Sequence, residues 1–146
     1  MSDVSRDKQP LRLEVQQACA ELVSAFAFLV DHQRYRELSE LFTNDCVFSR
    51  PGVSLNGRQE LLSFMQSRSA TAVSRHFCST PFMERVSTDE AAAVTYLSFY
   101  EGEPAETGVA RVNGITAFAE YHDEFRRTPD GWRISHRKVV PVMMKK

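Results

Sequence analysis

From Val73 onward the chain is organised as four long strand-forming segments, roughly 73–86, 91–101, 114–127 and 132–142, and this half sets the terms for the rest. Breakers separate them. STDE at 87–90 reads as a turn and GEPAETGVARVNG at 102–114 as a longer polar loop. TPDG at 128–131 reads as a tight hairpin, with Pro in the turn and Gly where a positive φ is needed. Pro81 cannot donate to a ladder, so the first segment must carry a bulge or lie at an edge.

The residues before Val73 follow a helical period. Leu11, Val15, Ala18, Leu22, Phe26 and Leu29 recur at spacings of three and four, with Glu14, Gln17, Glu21 and Ser24 on the other side. The polar stripe is lost from Ala25 to Val30, so that end of the helix must be surrounded by protein, and Asp31 emerges from it. A second helix is expected around Gln33 to Leu41. TNDCVFSRPG then turns the chain through Asn44 and Asp45 into a short strand. Asn56 as N-cap with Gln59 as its reciprocal partner would open a third helix burying Leu61, Leu62, Phe64 and Met65. Helices followed by antiparallel strands indicate an α+β fold, with three N-terminal helices packed on the concave face of a strongly curved, mostly antiparallel sheet. A cone of that kind has a mouth, and such cavities are the default ligand site.

At 146 residues the length fits one domain, expected over 11–142 with a flexible N-terminus at 1–10 and a tail at 143–146. No stretch reaches the roughly 20 apolar residues of a membrane span. The polar start MSDVSRDKQP carries no export signal, which points to the cytoplasm. Net charge is −1, and the basic residues are scattered apart from a C-terminal group including Arg126, Arg127, Arg133 and Lys138. That is too weak a field for nucleic acid. Cys19, Cys46 and Cys78 are widely spaced and odd in number, so they read as reduced thiols. No HExxH or Cys–His ligand spacing supports a metal.

A long helix ending VD, LSELFTNDCVF, GRQELLSFM, RHF, VSTDEAAAVTYLSFY and the final EYHDEFRRTPDGWRISHR occur in an order that resembles the SnoaL-like branch of the nuclear transport factor-like superfamily, over about residues 14–140. Within it the chain is most similar to the group of scytalone dehydratase, bile-acid dehydratase and hexachlorocyclohexane dehydrochlorinase. The resemblance implies a cone-shaped α+β fold and an Asp–His pair, which falls here on Asp31 and His76. The substrate-orienting shell differs. Tyrosines of scytalone dehydratase correspond to Val30 and about Arg50, a second histidine to Glu101, and a pocket asparagine to Tyr121.

A histidine held at one ring nitrogen by a carboxylate keeps the other free as a base, which suits removal of a proton beside a carbonyl. Asp31 has a second reading as the N-cap of the second helix. His76 shares its phase with Cys78 and Thr80, while Arg75 shares its phase with Phe77 and Ser79, so alternation alone does not say which set faces inward. In the third long segment Ala117, Ala119, Tyr121, Asp123 and Phe125 share a phase, matched by Leu97, Phe99 and Glu101 in the second. These make a plausible pocket wall. Tyr121 would donate to a developing enolate or be a core tyrosine. Arg137, in phase with Val139, would add positive charge near the pocket or be a surface residue. Phe26, Val30 and Phe64 from the helices, and Phe48 and Arg50 from the first short strand, complete the expected lining. Trp132 and Ile134 read as core. His122 and His136, with Glu120, Glu124 and Lys138, fit a polar outer face serving solvent or a subunit interface.

The resulting expectation is a cofactor-free lyase or isomerase of dehydratase type acting on a cyclic hydrophobic small molecule of polyketide, steroid or terpenoid kind. His76 would be the base, Asp31 its partner, and Tyr121 or Arg137 would hold the substrate oxygen. A homodimer is expected, with a trimer as the alternative. The competing reading is a non-catalytic ligand-binding or assembly module like the small subunit of ring-hydroxylating dioxygenases. An Asp31–His76 hydrogen bond beneath an open apolar cavity would favour the enzyme. A cavity filled by Phe26, Phe64, Phe99 and Phe125 would favour the module.

Overall fold

The computed structural model describes residues 8–146. Helix α1 (Lys8–Asp31) starts within the segment expected to be flexible, whose residues 1–7 lie outside the described ones. It buries Val15, Cys19, Val23, Phe26 and Val30 on the sheet. Within Gln9–Asp31 an 18-residue window has a mean hydropathy of 1.4, so by length and composition alone this helix could cross a membrane, where the sequence leads us to expect no such stretch. Here one face of the helix forms part of the core, while Leu13 and Phe28 on its other side are exposed.

Asp31 is the last residue of α1 and does not cap the next helix. The short α2 (Tyr35–Ser39) has Arg34 at its N-cap, with no side-chain cap bond, and the Arg34 guanidinium instead pairs with Glu37 at 2.7 and 2.8 Å. Strands β1 (Phe42–Arg50) and β2 (Val53–Asn56) form a hairpin. Helix α3 (Arg58–Gln66) has Gly57 at its N-cap, at φ 90, where a side chain would be strained. Asn56 is therefore displaced from the expected cap. Its backbone N–H donates to the Glu60 carboxylate, so Glu60 fills the role expected of Gln59.

The segment expected as one strand over 73–86 divides at Ser79–Pro81 into β3 (Val73–Cys78) and β4 (Phe82–Val86). Both pair antiparallel with the long β5 (Glu90–Gly102). Strands β6 (Ala117–Thr128) and β7 (Gly131–Met144) form the closing hairpin, with Gly131 at φ 109, and β7 runs into the expected tail. The sheet order is β2-β1-β7-β6-β5-β3, with β4 added on β5. All pairs are antiparallel except β1 with β7.

The interior is aromatic. The Phe26 ring meets Phe42 at 6.0 Å, Phe48 at 6.5 Å and Tyr121 at 5.8 Å. Phe125 and Ile134 are buried beside them, whereas Trp132 is half-buried beneath Arg127. The three cysteines are free thiols. Burial pushes Cys19 up to about 12 and Cys78 up to about 11, so both stay protonated and inert.

Candidate active site

The chain leaves α1 through a Schellman turn. Gln33 N–H donates to Val30 O at 3.2 Å and Arg34 N–H to Leu29 O at 2.9 Å, with Gln33 in the left-handed region at φ 58. This turn holds Asp31 at the end of the helix, facing β3. Among the described residues β3 is an edge strand, paired with β5 alone, so its other side presents backbone groups outside the ladder. Asp31 covers that edge.

One Asp31 oxygen, Oδ2, accepts the backbone N–H of His76 at 2.8 Å. The other, Oδ1, meets His76 Nδ1 at 2.6 Å and accepts the Ser74 hydroxyl at 2.8 Å. Ser74, His76 and Cys78 thus turn inward, while Arg75 and Phe77 turn outward, which resolves the phase that alternation left open. The Asp31 side chain is 4% exposed and that of His76 12%.

Burial pushes the Asp31 carboxyl upward. The His76 ring, the His76 backbone N–H, the charge of His76 and the Ser74 hydroxyl outweigh it and hold the group below the usual carboxylate range. An ionised carboxylate only accepts, so Nδ1 carries a proton, and in the neutral form of the ring Nε2 is the nitrogen left with a lone pair. Against the His76 ring lies Phe99, at 4.7 Å between centroids.

Deeper in the cone, Arg137 forms a two-pronged ion pair with Asp123. Its Nε meets Oδ1 and its Nη2 meets Oδ2, both at 2.7 Å, with both side chains at 0% exposure. The guanidinium lies 3.8 Å from the Tyr121 ring centroid and 4.4 Å from that of Phe26. Its third nitrogen, Nη1, has no partner among the described residues. Burial would lower the Arg137 pKa, but Asp123 more than offsets it and keeps the charge. Burial pushes the Tyr121 phenol above its ordinary value, so it remains a neutral donor. Arg137 is thus a core residue and not a surface one.

The remaining expected lining divides by position. Phe26, Val30, Phe48 and Leu97 are buried in the core, and Ala119 and Val139 pack against it. Phe64 is half-buried with Arg50 lying over its ring at 5.0 Å, and Arg50 itself is exposed. Glu101 is exposed, opposite Ser74 in the β3–β5 ladder. His122 and His136 lie on the outer face, where His122 bonds Glu120 at 2.9 Å. A hollow of about 340 Å³ lies behind β3 against Phe77, Tyr100 and Ala110, and one of about 510 Å³ lies between β2 and α3 against Leu55 and Phe64. Neither is lined by Asp31 or His76, so the expected cavity over the pair is not one of these two.

Sequence reasoning left three participants without a role. Ser74 was legible in principle, two residues before His76 on the same strand face. Asp123 was placed in the inward phase but not paired. Arg68, whose guanidinium reaches Ser74, carries no sequence signal.

Comparison with known families matches residues 11–138 to the SnoaL-like domain. No curated protein matches the sequence significantly. Among solved structures, a proposed scytalone dehydratase from Novosphingobium aromaticivorans superposes with a TM-score of 0.81 at 20% identity, over 93% of this chain and 89% of that one. A hexachlorocyclohexane dehydrochlorinase superposes at 0.76 with 18% identity, over 92% and 89%. The β subunit of a proposed aromatic-ring-hydroxylating dioxygenase from N. aromaticivorans superposes at 0.71 with 18% identity, over 92% and 93%. At such identities the likeness is one of fold.

Proposed function

Since this chain belongs to the SnoaL-like family, its domain spanning residues 11–138, we propose that it is a cofactor-free lyase or isomerase of dehydratase type, with His76 as general base. The observation that carries the reading is the pinned carboxylate: Asp31 takes three hydrogen bonds, two of them from His76. In the proposed reaction His76 Nε2 removes a proton from carbon beside a carbonyl, and Asp31 stabilises the imidazolium. Electrons move into the carbonyl as an enolate, which Tyr121 or the free Nη1 of Arg137 steadies. When the enolate collapses, the β-hydroxyl leaves as water with the proton returned by the imidazolium. The substrate class is a cyclic, largely apolar β-hydroxy ketone, in keeping with the aromatic and aliphatic interior. Solved structures of this fold that bear the names of a dehydratase and a dehydrochlorinase support an elimination.

The test is a screen of cyclic β-hydroxy ketones against wild type, His76→Ala and Asp31→Asn. Loss of a positioned base lowers turnover by about 10²–10⁴-fold. Equal turnover by wild type and His76→Ala would remove His76 from the mechanism.

A second reading, a ligand-binding or assembly module, is favoured by the aromatic filling of the interior and by the position of both hollows away from His76. Wild type that turns over none of the screened compounds would favour it. Under either reading the chain is proposed to pair as a homodimer through its sheet. Phe77, Tyr96, Phe118 and Met143 are exposed, and the ladder places Phe77, Ser98, Phe118 and Met143 in one row across four strands.

A further inference from the structure

We infer that Arg68 and Ser74 are positioning residues of the Asp31–His76 pair, the guanidinium fixing both the distance between α1 and β3 and the direction in which Ser74 donates. The catalytic consequence rests on the function proposed above, but the geometry does not.

Arg68 lies just beyond the C-terminus of α3 and reaches three other elements. Its Nη1 donates to Val30 O at the end of α1 at 3.2 Å and to the Tyr35 hydroxyl of α2 at 3.3 Å. Its Nη2 donates to Ser74 Oγ on β3 at 3.5 Å, and its carbon lies 5.9 Å from the Tyr35 ring centroid. A second tie runs the other way. Gln33, in the turn after Asp31, donates from Nε2 to Ala70 O at 3.2 Å and Ala72 O at 3.1 Å, in the connection that leads into β3. The end of the acid-bearing helix and the start of the histidine-bearing strand are therefore clamped at two points.

The Arg68 contact also orients a proton. Ser74 Oγ accepts from a guanidinium that can only donate, so its own hydrogen is left for Asp31 Oδ1, 2.8 Å away. Asp31 then has donors on both oxygens and cannot rotate toward solvent without breaking them. A lysine would keep the charge but could not span acceptors on three elements, because the planar fork is what reaches them. The other ionisable groups around the pair include Tyr35 from α2, Glu101 opposite Ser74 on β5, Cys78 on β3 itself and Tyr121 on β6, with the Arg137–Asp123 ion pair beyond it. Burial keeps Cys78 and Tyr121 protonated.

The test uses the full chain without substrate, in wild type, Ser74→Ala, Arg68→Met and Arg68→Lys. Nitrogen-15 NMR reads the His76 tautomer, carbon-13 NMR reads the Asp31 carboxyl titration, and thermal melting follows stability. Wild type should hold the Nδ1-protonated tautomer. In all three variants the Asp31 midpoint should move up by about one pH unit, the worth of one hydrogen bond to a charged group, and the tautomer should become mixed. Ser74→Ala is small enough to keep the fold should Arg68→Met not. An unmoved tautomer and an unmoved Asp31 midpoint in Ser74→Ala and in the folded Arg68 variants would overturn the inference, whatever the melting temperatures do. So would wild-type behaviour of Arg68→Lys, which would reduce the role to charge. The readouts need no turnover. The spectroscopic shifts can therefore appear while the lyase reading fails, or the reverse.

Discussion

The Arg137–Asp123 ion pair invites a double-mutant cycle with Asp123→Leu, Arg137→Met and the combination. Both side chains are at 0% exposure and share two bonds of 2.7 Å, so removing either leaves its partner charged in a place water does not reach. Breaking a buried pair from one side costs about 3–5 kcal/mol, whereas replacing both members by apolar groups of similar volume is often close to neutral. The combination also loses the stacking of the guanidinium on Tyr121 and Phe26, on the order of 2 kcal/mol for a desolvated cation. If the sites were independent, the double variant would lose about 6–10 kcal/mol, most of what a domain of this size has. The pair predicts about 2 kcal/mol, a coupling of several kcal/mol. Urea unfolding at neutral pH measures it. With a slope of about 2 kcal/mol per molar, each single variant moves the midpoint down by about 2 M and the double by about 1 M. A double variant as unstable as the summed singles would refute the reasoning, since it would mean that neither charge is stranded when the other is removed. A double variant that folds but has lost ligand binding or turnover would separate the Nη1 role of Arg137 from its part in the core.

Other outcomes follow from the same geometry. The folded-state pKa of Asp31 is held below its unfolded value, so its contribution to stability is complete above about pH 5 and fades as pH falls through the folded value. The stability gap between wild type and Asp31→Asn, measured by urea unfolding at stepped pH, should therefore narrow on acidification. A gap that widens would contradict the sign. Phe125→Ala, in the buried aromatic cluster, should cost about 3–5 kcal/mol in the same assay. If the proposed homodimer pairs through its sheet, Phe118→Lys combined with Tyr96→Lys should shift it from dimer to monomer in light scattering without lowering the monomer's melting temperature. An unchanged mass would remove the outer sheet face as the pairing surface.

Most of the sheet was legible because its strands are long and its breakers strong. The TPDG hairpin and the inward phase of Tyr121, Asp123 and Phe125 are local consequences of Pro, Gly and alternation. Partnerships across strands were not legible, because a bulge moves them. Counting outward from Thr128 and Gly131 would place Asp123 opposite His136, but the irregularity between Glu124 and Phe125 slides the ladder by one residue and delivers Arg137 instead. Helix starts failed for a related reason. Asp31 and Asn56 are both favoured cap residues, yet tertiary demands recruit the first to the edge of β3, and Gly57 takes the φ the second would have needed to yield. Proline at 81 signalled an interruption, and only the lengths of β3 and β4 along β5 show it to be a full break. Asp31 and His76 are 45 residues apart, and only the family resemblance suggested that they meet.

The position of β7 has a consequence for how the molecule comes into being. The last strand of the chain is an interior one, seated between β1 on one side and β6 on the other. The chain through β7 must therefore leave the ribosome before the two sheet fragments can be joined, and until then the greasy flank of α1 has only part of its cover. Assembly is for that reason a late, all-at-once event, exposed to aggregation while it waits. Deleting the final dozen residues would remove the keystone and not merely shorten an edge.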